Sequence, residues 1–530
     1  VHRSSSTRIL ARIRIQPSAT LGAGLLATLA VCISSCKVGP DFKEPETQMP
    51  EGWSSLPGAD AALQSGTSVA KPTEVDVARW WGTFQDPQLT SLIERAVAGS
   101  LDLHQAASRI RQARAERTIA ASGLYPGVDA SASFTHAGTG SSLSGSSQSF
   151  YATSNLYRAG FDATWELDVF GGVRRGVEAA DANIESALAD RRSVMVTLAA
   201  EIATTYCQLR GAQQQLVITR KNLETQSRGV SLTNDRYKGG LVSALDVTTA
   251  EAQVASTKAQ IPALESTARQ LIYALGVLLG EQPEALVAEL ATEAPLPPIP
   301  PEVPVGLPSE LLRRRPDVRK SEADLHAATA QTGVAVADLY PKFALNGSAG
   351  LQGSKLGALS SLNNFVWSFG PSVTLPIFHA GALQAGVDVQ RELTEQALDT
   401  YKKTVLQALS DVETALVAYS KEQERRAALT EAARVQAEAV DLATQLYTVG
   451  KTDFLNVLTA QETLFSADNS LVLSNQAVVT DLIALYKALG GGWEDLSDEE
   501  PKLETKPPPD ASARASSLED ESRSAAEPGH

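Results

Sequence analysis

Tyr237-Lys238-Gly239-Gly240-Leu241-Val242-Ser243-Ala244-Leu245-Asp246-Val247 is answered 210 positions later by Tyr447-Thr448-Val449-Gly450-Lys451-Thr452-Asp453-Phe454-Leu455-Asn456-Val457. Tyr237/Tyr447, Gly240/Gly450, Leu245/Leu455 and Val247/Val457 all keep that offset. Each copy lies between long segments of helical composition. Each carries a glycine where one helix would stop and a capping residue where the next would start. Ser243 followed three residues later by Asp246 reads as a capping box, and Asp453 stands in the place of Ser243. Both stretches therefore predict tight turns at the far ends of long helical hairpins, and a repeat of this size makes the chain two halves of one structure.

Outward from the turns, the segment from Gly172 to Lys238 contains no proline. As a helix it would span roughly 100 Å at ~1.5 Å per residue. Ile202, Leu209, Leu216, Leu223, Val230 and Tyr237 recur every seven residues, which is a coiled-coil seam. In the second half Val412, Tyr419, Ala433, Val440 and Tyr447 keep the register and Arg426 interrupts it. The hairpins are predicted over 172–280 and 382–490, with a kink at Pro262, whose counterpart is Val472.

Ahead of each hairpin the hydrophobic period changes from helical to two. Val128, Ala130, Ala132 and Phe134 alternate with Asp129, Ser131, Ser133 and Thr135. From Tyr157 to Phe170 the apolar positions are Tyr157, Ala159, Phe161, Ala163, Trp165, Leu167 and Val169. The second half repeats the device over 343–351 and 365–377, with Phe365, Trp367, Phe369, Val373 and Leu375 on one face. Strands of this length suit a tilted transmembrane sheet with one lipid face and one wet face; the competing reading is a soluble sheet edge packed on helices. The strand pairs are thus expected at 128–135/157–170 and 343–351/365–377, with 136–156 a Gly/Ser-rich loop. A sheet crosses lipid only when closed, because an open edge leaves backbone groups unpaired. Four strands are too few, since bacterial barrels begin at about eight. Several chains must pool their strands, and the argument does not fix how many.

The remaining segments complete the layout. Residues 1–35 read as a signal peptide: Arg3, Arg8, Arg12 and Arg14 form a basic start, and the apolar run from Ala19 to Ile33 is too short for an ordinary spanning helix. It ends in Ile33-Ser34-Ser35-Cys36, which resembles the lipobox of bacterial lipoproteins and implies a lipidated Cys36; cleavage beside an unmodified cysteine is the alternative. By the same resemblance Lys37 is compatible with outer-membrane sorting. Residues 36–75 look extended. Asp76 to Ala98 and Leu101 to Ala121 are expected to be helices that open the first repeat, 76–293. A Pro-rich linker, 294–308, joins it to the second, 309–493. The stretch 494–530 is acidic and rich in Pro and Ser, and is expected to be disordered.

Composition narrows the function. The 530 residues carry a net charge of −15, which argues against a nucleic-acid partner. Of three cysteines, Cys32 and Cys36 fall in the targeting region and Cys207 in an Ala/Thr/Leu helix, so no disulfide framework or metal spacing is present. The histidines are scattered and no nucleophile motif or phosphate loop occurs, so neither an enzyme nor a cofactor or metal site is expected.

Several motifs together resemble the TolC-like outer-membrane efflux family in its lipidated, NodT-type branch. They are Cys36-Lys37-Val38-Gly39-Pro40-Asp41; Trp80-Trp81 with Phe84, Asp86, Pro87 and Leu89; Ala106, Arg109, Ile110 and Ala113; Leu311-Leu312-Arg313-Arg314-Arg315-Pro316-Asp317-Val318-Arg319; and Tyr486-Lys487-Ala488-Leu489-Gly490-Gly491-Gly492-Trp493. The resemblance covers the whole mature chain. It implies an α+β membrane protein: a homotrimer whose pooled β-barrel sits in outer-membrane lipid and continues into a long α-helical periplasmic tunnel. It implies passive export, with a periplasmic adaptor docked below and an inner-membrane efflux transporter beyond it. It places the adaptor contact on Gly240, Leu241, Val242, Gly450, Lys451 and Thr452, exposed at the lowest rim, and a constriction at Asp246 and Asn456. Asp246 would there form a ring of three carboxylates, or simply cap its helix. Relatives carry charged residues in the second turn where this chain has Thr452, Asn456 and Thr459. Export of a protein or polysaccharide, and a coiled-coil envelope scaffold, are the alternative functions.

Overall fold

A computed structural model describes residues 37–55, 69–71, 77–142 and 149–494. The signal segment, Cys36 and all but the first residue of the acidic tail lie outside the described residues.

The described residues open with an extended strap, 37–55; β1 (Val69–Lys71) and a 3-10 turn at Trp80–Phe84 come next among them. Helices α1 (Pro87–Gly99) and α2 (Leu101–Ser122) lead into strands β2 (Gly127–Ser142) and β3 (Ser149–Leu167). Helices α3 (Gly172–Lys238) and α4 (Ala244–Leu278) form the first hairpin. Short helix α5 (Val287–Leu290), strand β4 (Glu302–Pro304) and short helix α6 (Leu311–Arg314) cross to the second half. There α7 (Pro316–Ala337), β5 (Lys342–Gly353), β6 (Phe365–Thr374), α8 (Ala382–Thr448) and α9 (Phe454–Ala488) repeat the pattern. The halves match in length: α3 and α8 have 67 residues each, α4 and α9 have 35, and α2 and α7 have 22.

The sheet runs β2-β3-β5-β6, every neighbour antiparallel. Its register places most of the large apolar residues on one face, with Leu156 and Val366 on the other. Val128 faces Ala163, Phe134 faces Tyr157, Phe161 faces Ala349, Trp165 faces Leu345, and Ala349 faces Trp367. The opposite face pairs Asp129 with Asp162, Thr164 with Asn346 and Ser348 with Ser368, whose hydroxyls are 2.9 Å apart. Because the period is two, a slip of one residue would turn Phe134, Phe161, Trp165 and Trp367 to the other face. Beneath the sheet the helices follow the same order: α2 packs on α3, α3 on α7, and α7 on α8. Both β2 and β6, and both α2 and α8, are edges. Among the described residues no helix is long and apolar enough to cross a membrane.

Several boundaries differ from expectation. The 136–156 loop is largely strand: β2 and β3 stay paired to Ser142↔Ser149, with His136 Nδ1 2.6 Å from Asn155 Oδ1. Gly and Ser carry no apolar alternation, but the neighbouring strand supplies their hydrogen bonds. Strand β3 ends at Leu167, not Phe170, because the Asp168 carboxylate turns to accept from the backbone N–H groups of Val173 and Arg174 and so caps α3. Strand β6 ends at Thr374, ahead of Pro376. The first helix starts at Pro87 rather than Asp76: Asp86 is its N-cap, accepting from Gln88 and Leu89, and proline fits the first helical position. Helix α4 runs on through Pro262.

The strap is tied down at several of its described residues. Arg175, almost fully buried, donates to the carbonyls of Val38 and Gly39 and to the carboxylates of Asp41 (2.7 Å) and Glu178 (3.0 Å). Val38 N–H donates to the Phe170 carbonyl at the base of the sheet. The Arg175 guanidinium holds the Asp41 carboxyl below its ordinary range. Burial pushes Glu178 up, but its bonds to Lys37 and Arg175 win and leave it lowered. Farther on, Phe42 stacks on His326, Trp53 Nε1 donates to the Gly306 carbonyl, and the N–H groups of Ser54 and Ser55 meet the Glu413 carboxylate. Strand β1 then pairs in parallel with β4 of the linker.

Phe161→Arg, on the apolar face, should cost about 2–4 kcal/mol if that residue sits near the bilayer midplane and should sharply reduce heat-resistant oligomer in outer-membrane fractions. Ser348→Arg, on the wet face of the adjacent strand, should leave that yield unchanged. Equal losses from the two would mean that the faces are misassigned.

Candidate functional site: the hairpin tips

Each hairpin turns by backbone alone. At the end of α3 Gly240 has φ +71°; its N–H donates to the Tyr237 carbonyl and Leu241 N–H to the Arg236 carbonyl, both at 2.9 Å. At the end of α8 Gly450 has φ +74°, with Gly450 N–H on Tyr447 and Lys451 N–H on Leu446. Both are Schellman turns: two otherwise unpaired helix carbonyls are satisfied, and the left-handed residue is glycine because a Cβ would be strained there.

The return helices start differently. Ser243 and Asp246 form the full capping box: Asp246 Oδ2 accepts from Ser243 N–H (3.0 Å) and Ser243 Oγ (3.1 Å), while Asp246 N–H donates to Ser243 Oγ (3.4 Å). Asp453 occupies the N-cap of α9, yet its side chain makes no capping hydrogen bond. Asn456 instead donates to Thr452 Oγ1 at 2.8 Å. Asp246 is half-buried and Asn456 exposed, each in the first turn of its return helix.

The two tips of one chain are fastened to each other. Arg236 Nη1 donates to the Tyr447 carbonyl at 2.6 Å, and its guanidinium lies 4.5 Å above the Tyr447 ring. A cation–π contact of this kind contributes about 0.5–2 kcal/mol depending on desolvation. Beside it Ala250, Tyr447, Phe454, Val457 and Leu458 form a small core, with Val230, Val242 and Ala443 packed against it. Of the residues expected at an exposed rim, Leu241, Gly240, Gly450 and Lys451 are exposed; Thr452 is half-buried, and Val242 turns inward onto that core. Leu245 and Leu455, which the sequence reading left without a role, are 73% and 65% exposed. Arg236 was also missed. Its repeat counterpart is Leu446, and that break in the repeat beside Tyr237 was the signal available.

A register-locked amphipathic sheet with two open edges, continuous with a sheaf of helices some 100 Å long, defines a membrane duct assembled from several copies. The comparisons give that class its family. The profile of the outer membrane efflux protein family matches residues 92–281 and 307–491. Nodulation protein T of Rhizobium leguminosarum bv. trifolii is 33% identical over 470 residues, covering 88% of this chain and 97% of its own. The pyoverdine export outer membrane protein OpmQ of Pseudomonas aeruginosa is 35% identical over 428 residues, 79% of this chain and 88% of its own. Among solved structures, the outer-membrane channel OprN superposes with a TM-score of 0.78 at 35% identity, covering 86% of this chain and all of that one. VceC of Vibrio cholerae gives 0.71 at 26%, covering 80% of this chain and all of that one. The chain belongs to the outer membrane efflux protein family. It is an outer-membrane channel and not an enzyme, and it works as a trimer with a periplasmic adaptor and an inner-membrane transporter. Trimerisation pools three sheets of four strands into one closed barrel.

Proposed function

We propose that this channel is the exit duct for small molecules handed over at its periplasmic tip, with Gly240, Leu241, Gly450, Lys451 and Thr452 forming the adaptor contact. The observation that carries the reading is the pair of matching glycine turns, which close both hairpins at one end with their outer residues exposed and no side chain spent on the reversal itself. A trimer presents this turn six times around its rim, a repeating surface suited to a ring of adaptor tips. Val242 supports the contact from behind rather than lining it.

At the mouth, Asp246 both caps α4 and contributes one carboxylate of a three-membered ring, with Asn456 as its uncharged counterpart in the second hairpin. Charged rings of this kind set ion preference in pores. At the other end Cys36 carries the lipid anchor. What supports this reading is that Lys37 pairs with Glu178 and Val38 bonds the backbone at the base of the sheet.

Four variants test these assignments. Gly240→Glu should assemble and reach the outer membrane in normal amount while efflux by the cognate pump falls; full efflux from that mutant would remove the turn from the docking surface. Ser243→Ala should weaken the cap by about 0.5–2 kcal/mol, read by hydrogen exchange in the first turn of α4, and leave the cation preference in planar bilayers intact. Asp246→Asn should lower that preference; if it does not, Asp246 only caps. Cys36→Ser should abolish incorporation of labelled fatty acid, and a mature N-terminus found elsewhere by mass spectrometry would refute the anchor.

A further inference from the structure

Arg426 breaks the heptad seam of α8 without gaining a partner for its charge. The seam positions on either side of it, Tyr419 and Ala433, are buried, and so is its repeat counterpart on α3, Leu216. A guanidinium in such a row loses packing and hydration unless something pairs with it. Among the described residues nothing does: Arg426 makes no ion pair, and its side chain makes no hydrogen bond. Glu422, one turn before it, is taken by Arg425 (3.1 Å) and by the hydroxyl of Ser474 (2.6 Å). One turn after it stands Thr430, whose hydroxyl donates to the Arg426 carbonyl.

Arg426 instead lines a cavity of about 550 Å³, well inside the ~300–1,000 Å³ of small-ligand sites. The linker, from Pro295 to Pro301, forms one wall; Val472, Asn475 and Val479 of α9 and Gln214 of α3 form the others. The linker wall is held at both ends. Before it, Arg210 and Gln213 donate to the carbonyls of Thr292 and Leu290, and Arg220 pairs with Glu293. After it, β4 pairs with β1, and Trp53 donates to the Gly306 carbonyl. The cavity is thus built into the crossing between the halves.

Its lining selects a ligand by chemistry. Gln214 and Asn475, like Arg426, make no side-chain hydrogen bond among the described residues. A guanidinium with two carboxamides beside it suits a carboxylate, which accepts paired hydrogen bonds from arginine. Five of the seven residues from Pro295 to Pro301 are proline, so that wall has carbonyls to offer and N–H groups only at Leu296 and Ile299. Carbonyls call for N–H donors. A carboxylate followed by amide N–H groups satisfies both walls, and Leu296, Ile299 and Val472 give its side chains an apolar surface.

We propose that this cavity binds a short peptide with a free carboxylate, held by Arg426 with Gln214 and Asn475 beside it. The site is separate from the hairpin-tip contact and gives the seam-breaking arginine its role.

The full chain, purified as trimers, should bind N-acetyl-Ala-Leu and N-acetyl-Ala-Ala saturably in a ligand-detected NMR titration. The C-terminal amides of the same peptides should bind at least about tenfold more weakly, the effect of one lost charge-assisted pair. Arg426→Gln should weaken binding of the free acids by the same factor. Equal binding of acid and amide, undiminished binding by Arg426→Gln, or no saturable binding of either acid would each overturn the site. Propionate separates a peptide site from one that takes any carboxylate: it should bind far more weakly than the peptides, and equal affinity would overturn the peptide assignment. Arg426→Leu installs the residue of the repeat counterpart. It should lose the same binding yet melt no lower than the unaltered chain; a lower midpoint would make Arg426 a packing element of the seam and overturn its role toward a ligand.

Discussion

Each backbone N–H and C=O that this sheet carries into hydrocarbon needs a partner supplied by protein, because lipid offers none and each unmet group costs several kcal/mol. Within one chain β3 and β5 meet that demand on both sides, while β2 and β6 meet it on one. No rearrangement of four strands removes the two edges. The constraint forces association, and association sets the rest of the design. The helices that feed and leave the sheet must follow the order of its strands, so the ring of helices below inherits the closure of the barrel above. One sheet edge open to lipid would therefore also mean one gap in the wall of the tunnel.

The halves are close copies in length, yet the chain departs from the repeat where a single covalent chain has only one of something. There is one N-terminal strap, and Arg175 receives its Val38, Gly39 and Asp41; the repeat counterpart of Arg175 is Ala385. There is one linker between halves, and β4 within it pairs with β1. The strap and linker therefore brace the contact inside a chain. A folded protomer can thus hold its own halves together before it meets a neighbour.

The parts of this fold that were readable in the sequence are those with a long period. Glycine after Lys238 and after Val449, and the proline-free runs before them, located both 67-residue helices and their turns. Alternation located all four strands where the apolar residues are Phe, Trp, Leu and Val. It failed over 136–156, where Gly and Ser hold their place by pairing with the next strand rather than by burying a side chain. The capping box at Ser243 was legible because both partners lie within four residues. Its absence at Asp453 was not, since the same residue type at the same position can point its carboxylate elsewhere. The Arg236–Tyr447 contact joins positions more than two hundred residues apart, and no local pattern carries such a pair.

The two ends of the hairpins differ in how firmly the halves of a chain are joined. Near the sheet and at mid-length, α3 meets α7 and α9 over many turns, with Ala179, Ala199, Ile202 and Leu209 fully buried and the strap laid across the outside. Toward the tip the seam residues become progressively bare: Leu216 is buried, Leu223 and Val230 half-buried, and Tyr237 exposed. What joins the first hairpin to the second there is Arg236 on its two neighbouring carbonyls and one ring, beside a core of five side chains. Local opening costs less where fewer apolar contacts are lost. The hairpins thus resist separation strongly above and weakly below. Each turn meanwhile keeps its own shape through backbone hydrogen bonds that separation would not break. A duct built this way concentrates its freedom of movement at the end where it receives its cargo, and it does so without loosening the barrel that the membrane requires to stay closed.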